Sequence, residues 1–177
     1  MKATVVEEGL AYKEDEDIEV KMSKFNETTP STSKKANETL YTVHMSSCTV
    51  IATIDSKIRT MYHVQGGDVN PKFYDKLVDL IADNATIVFS DGASGASKAS
   101  AQDKLDKIKE EIESRMPDAK LTFKLFYTAI QGDEVEGQQN PLPGSLVLRG
   151  DGSYGRALRP VFSDEEDEDE DDDEDDE

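Results

Sequence analysis

The residues best suited to chemistry are few. The chain has one cysteine, Cys48, and two histidines, His44 and His63. A thiol is a strong nucleophile only as its thiolate, and an imidazole within hydrogen-bond reach can generate that species. A single cysteine excludes an intramolecular disulfide and any multi-thiolate zinc site, and three soft ligands in all give little basis for a structural metal. No cofactor is expected either. The glycine-rich stretch GASGAS lacks the lysine and the strand-to-helix setting of a phosphate loop, so it reads as a structural loop.

Whether Cys48 and His63 can meet depends on the elements that carry them. Residues 40–67 are rich in β-branched and aromatic side chains, interrupted only by the turn chemistry of Asp55-Ser56-Lys57. This predicts a hairpin of Cys48 to Ile54 and Ile58 to Gln65. An even-length loop centred on Ser56-Lys57 places Cys48 opposite Gln65 and diagonal to His63. The two then share a face at the diagonal spacing of about 7–8 Å or less. An odd-length loop would put them on opposite faces. A free cysteine is also a common small core residue, and a single histidine is more often structural than catalytic. His44 is read that way.

The rest of the chain supplies a frame. Residues 13–36 are charged and rich in Ser and Thr, which suggests one edge strand near Ile18 to Met22, then a mobile loop, with order resuming at Leu40. Asn70-Pro71 is a helix-start signal, and Phe73, Leu77, Leu80 and Ile81 continue it at helical spacing to Ala82. Ser100 and Asp103 resemble a capping box before a second stripe, Leu105, Ile108, Ile112 and Met116. Lys120 to Ile130 reads as a strand, and SLVLRGDGSYGRALRP as a hairpin about Gly150-Asp151-Gly152. The expected fold is α+β: a mostly antiparallel, sandwich-like sheet with two amphipathic helices packed on it.

The segment MSSCTVIATIDSKIRTMYHVQGG resembles the catalytic segment of the cytotoxic necrotizing factor family of protein glutamine deamidases. That family carries a Leu-Ser-Gly-Cys motif at the start of a strand and its catalytic histidine in the next. Ser46 and Cys48 match the motif, Met45 stands for the leucine and Ser47 for the glycine, and His63 follows Cys48 by the family's 15 positions. SLVLRGDGSYGRALRP is similar to the strand, Asp-Gly turn and strand that close the same domain. The lethal-factor-type and chemoreceptor deamidases share this Cys-His logic with other spacings.

The resemblance implies a Cys48 nucleophile, a His63 base, oxyanion donors from the backbone around Ser47 and Cys48, and a positioning hydroxyl on Ser46. It also implies that an upstream backbone carbonyl orients the histidine, a group that sequence does not reveal. The implied substrate is a glutamine on a partner protein, with a small GTPase or a translation factor as possible targets. A transglutaminase on the same scaffold would differ only in what resolves the thioester.

Charge limits the other readings. The 177 residues hold 39 acids and 20 bases, a net charge of −19. All 14 residues from Asp164 to Glu177 are acidic, leaving 25 acids against 20 bases in the body. A polyanionic run of this kind is expected to stay disordered. Phosphate backbones and anionic membranes would be repelled, while basic proteins could bind, so an interaction protein acting through its tail is the alternative to an enzyme. With no signal-peptide pattern and no membrane-spanning run, a soluble, cytoplasmic protein is expected, including one delivered into a host cytosol. The expected organisation is a charged segment over 1–39, a deamidase-like domain over 40–162 and an acidic tail over 163–177.

Overall fold

The computed structural model describes residues 2–45, 47–65, 69–91, 98–127 and 141–158. The acidic tail, Ser46, Gly66 to Asp68 and the GASGAS stretch lie outside the described residues.

Among the described residues, two five-stranded sheets and two helices make an α+β fold. The first sheet has the order β1 (Thr4–Val5), β10 (Ser153–Gly155), β9 (Leu146–Leu148), β4 (Leu40–Thr42) and β2 (Ile18–Glu19). The second has the order β3 (Ser31–Ser33), β6 (Arg59–Gln65), β5 (Cys48–Ile54), β7 (Thr86–Asp91) and β8 (Thr122–Tyr127). Pairing is antiparallel except for β1 with β10, β2 with β4 and β7 with β8.

The hairpin of β5 and β6 is the centre of the molecule, and its turn shows why its register is fixed. Asp55 is buried, and its Oδ1 accepts hydrogen bonds from the backbone N–H groups of Lys57 (2.7 Å) and Ile58 (2.8 Å). Its Oδ2 accepts from Ala82 N–H at 3.1 Å, which ties the turn to the end of α1 (Pro71–Leu80). With the loop length so set, Cys48 pairs with Gln65 and Val50 with His63.

Alternation along these strands builds two separate cores. Val50, Ala52, Ile54 and Met61 point toward the first sheet and pack with Leu40, Leu146 and Leu148. Ile51, Tyr62 and Val64 point the other way, against Phe73, Leu77, Leu105 and Ile112 of the helices. Tyr62 stacks on Phe73 with ring centroids 4.0 Å apart. All seven residues of β5 are buried. The layers are therefore helices, second sheet and first sheet, and Leu10 and Tyr12 cover the outer face of the first sheet beside Tyr41 and Val147.

The predicted helix start is present: Asn70 caps α1 by accepting from Lys72 N–H at 3.1 Å, with Pro71 in the first position. Two sequence expectations need correction. Ser31–Ser33 forms a strand on the edge of β6 where a loop running to Leu40 is expected, because β6 would otherwise leave its ladder unpaired on that side. α2 runs over Lys98–Arg115, so Ser100 lies inside the helix and does not cap it.

Candidate functional site

Cys48 opens β5 and His63 lies near the end of β6, on the inter-sheet face and diagonal to each other as the even-length turn requires. Both line one cavity of about 230 Å³ at the open end of the two sheets, with Glu19, Val20, Lys21, Met22, Thr42, Val43 and His44.

The first sheet fixes the imidazole. Thr42 is buried at the end of β4, and its Oγ1 lies 2.8 Å from His63 Nδ1 and 2.7 Å from the Val20 carbonyl oxygen. A hydroxyl has one hydrogen, and here it is donated to the carbonyl. The His63 Nδ1 must then carry a hydrogen and donate it to Thr42 Oγ1. The remaining nitrogen, Nε2, is left with its lone pair, and it is buried without a hydrogen-bond partner. An unpartnered buried acceptor is destabilising in itself. The residue that carries it lines the same cavity as Cys48.

The resting pair is uncharged. Burial lowers the His63 pKa, with only partial opposition from the Val20 carbonyl, and burial raises that of Cys48. The Cys48 Sγ points to Met22 Sδ at 3.5 Å. The pre-formed thiolate that a tight Cys-His contact would give is therefore not the resting state.

The loop leading into Cys48 has its own brace. His44, exposed on the cavity rim, has φ of 62°. Met45 N–H donates to Gly144 O at 2.9 Å, and a Cβ on Gly144 (φ 64°) would collide with the Met45 carbonyl oxygen. Glycine at 144 is thus required by contact as well as by conformation. Ser47 follows in an exposed bend. Ser46 is outside the described residues.

Among the described residues, no group of three or more His, Cys, Asp or Glu side chains could hold a metal ion. No helix among them is long and apolar enough to cross a membrane. Sequence reasoning missed Thr42, and it expected an upstream backbone carbonyl without identifying it as that of Val20. Thr42 ends a strand of Leu-Tyr-Thr whose residues are all buried, and a buried hydroxyl needs a partner, but nothing in sequence says which one. No family model matches this chain, and no curated protein sequence matches it significantly.

Proposed function

We propose that this protein is a cysteine-dependent glutamine deamidase acting on a side-chain carboxamide of a partner protein. The observation that carries the reading is the His63 Nε2 lone pair, buried, unpartnered and held in one tautomer by Thr42, in a residue that lines the same cavity as Cys48.

The chemistry follows from those groups. As a carboxamide enters, the Cys48 sulfur turns from Met22 toward Nε2 and gives up its proton to it. The thiolate adds to the carboxamide carbon, and the oxygen takes the negative charge, facing the backbone N–H groups of Ser47 and Cys48. Nε2–H then passes its proton to the leaving nitrogen, the C–N bond breaks, and ammonia departs to leave a thioester. Nε2, again unprotonated, takes a proton from water as its oxygen attacks the thioester. Glutamate forms, and the proton returns to sulfur. The imidazolium intermediate is stabilised through Nδ1–H by Thr42 and, behind it, the Val20 carbonyl. A protein amine in place of water would give transglutamination from the same thioester.

The resemblance around Cys48 and His63 supports an effector-like enzyme working in a cytosol, with a small GTPase or a translation factor as its class of target. Incubation with a eukaryotic lysate followed by peptide mass spectrometry should find a glutamine converted to glutamate, a gain of about 1 Da. Cys48→Ser should abolish the conversion, and His63→Gln should slow it by about 10²–10⁴-fold, the usual worth of a general base. Identical profiles for wild type and a folded Cys48→Ser would refute the enzyme and leave the tail-mediated interaction protein.

A further inference from the structure

Met22 is half exposed, at 49 %, yet its thioether lies on the thiol of a cysteine only 7 % exposed. Its backbone is pinned on both sides. Val20 N–H donates to Tyr41 O of the first sheet, and Ser23 N–H donates to His63 O of the second, each at 2.7 Å. Lys21 and Met22 thus cross the open end of the sandwich between two anchors, one on each sheet. From that crossing, only the side chain is free to move off the sulfur.

The shape of that side chain is informative. Methionine and glutamine are both unbranched through Cβ and Cγ to a δ atom. In methionine that atom is Sδ, and in glutamine it is the carboxamide carbon. Reacting atoms in a near-attack arrangement sit about 3–3.5 Å apart, and Met22 Sδ is 3.5 Å from the Cys48 sulfur.

We infer that Met22 occupies the place of the substrate glutamine, as a built-in, unreactive substitute that covers the nucleophile until a partner's glutamine displaces it. The inference rests on the deamidase reading and adds a residue that selects substrate. A straight, unbranched stem fits the space held by a straight thioether, whereas a β-branched or short amide such as asparagine does not reach the sulfur. The cover also accounts for Nε2 having no partner: the sulfur is turned to Met22, so the proton acceptor waits.

Two measurements on the purified full chain test this. The first is access alone. At pH 9, Met22→Ala should alkylate at Cys48 about tenfold faster than wild type with iodoacetamide, and by a larger factor with the bulkier N-phenylmaleimide. Met22→Leu, which keeps an apolar side chain of similar size over the sulfur, should stay near the wild-type rate. Equal rates for wild type and Met22→Ala with both reagents would overturn the inference, whether or not the protein deamidates anything.

The second is chemistry at position 22 itself. Met22→Gln, incubated alone, should lose ammonia to form an internal thioester, about 17 Da lighter, or go on to the hydrolysed acid, about 1 Da heavier than the starting variant. The change should map to position 22 and vanish in the double variant with Cys48→Ser. If wild type deamidates lysate proteins while the introduced glutamine stays intact, the enzyme reading stands and the placement of Met22 falls. If the lysate shows no Cys48-dependent deamidation, the enzyme reading falls, and the alkylation rates still judge the cover.

Discussion

Strand β6 carries two buried titratable side chains on the same face, four residues apart, and they are treated in opposite ways. Arg59, at one end, is enclosed by acceptors. Its Nη1 donates to Gly150 O at 3.1 Å, and its Nη2 to Ser33 Oγ at 2.8 Å and to the carbonyl of Lys35. Only its Nε lacks a partner. His63, at the other end, has one nitrogen anchored and the other buried without a partner, in a residue that lines the same cavity as Cys48. Arg59 joins three chain segments, which is a structural use of a buried polar group. His63 leaves half of its hydrogen-bonding capacity unspent, and in a folded protein such a vacancy is informative only where a reactant can reach it.

The comparison predicts its own asymmetry. Arg59→Ala should destabilise the protein by roughly 3 kcal/mol or more in urea unfolding, because it strands several buried acceptors at once. His63→Gln should lose about 1 kcal/mol or less, while removing the chemistry. Similar stability losses for the two variants would erase the distinction.

A finer test is Thr42→Val, which keeps the shape, deletes the hydroxyl and frees the imidazole to take either tautomer. Leaving a buried polar group unsatisfied costs ~1–3 kcal/mol, equivalent to about fivefold to 150-fold in rate if the whole effect falls on the reaction. Thr42→Ser should recover most of it. A Thr42→Val protein with wild-type turnover would show that the tautomer is set elsewhere.

The smallest effect concerns pH. Burial lowers the His63 pKa in the folded state below the unfolded value of about 6.5. The unfolded chain therefore binds this proton first, and the stability that depends on a neutral His63 is intact above pH 6.5 and declines as pH falls through the folded-state value. The melting temperature of wild type should drop more between pH 7 and pH 5 than that of His63→Gln. Parallel curves would mean that the imidazole is already free to protonate in the fold.

How much of this was legible in the sequence follows the distances involved. The hairpin register could be read because Asp55 and the short loop set it within a few residues, and from it the shared face of Cys48 and His63. Asn70-Pro71 marked α1 for the same local reason. The partners of His63 come from β4 and from the residue after β2, in the other sheet, and no local pattern reports contacts between sheets. Met22 looked like the end of an edge strand, although β2 stops at Glu19 and the chain then leaves its sheet to bridge to the other. Ser31–Ser33 has so little apolar character that only the unfilled edge of β6 explains it.

The brace of Gly144 on Met45 also sets a schedule. The loop before Cys48 takes its position from a residue almost a hundred places later in the chain, and β9, which follows that glycine, joins β4 and so the Thr42 support. Non-local closures of this kind form late and slowly. During synthesis the β5–β6 hairpin can pair as soon as residue 65 has emerged, yet the imidazole and the thiol acquire their surroundings only after residue 148. Until then Cys48 is an ordinary accessible thiol, so the loss of its reactivity toward a pulse of alkylating agent would time the last step of folding.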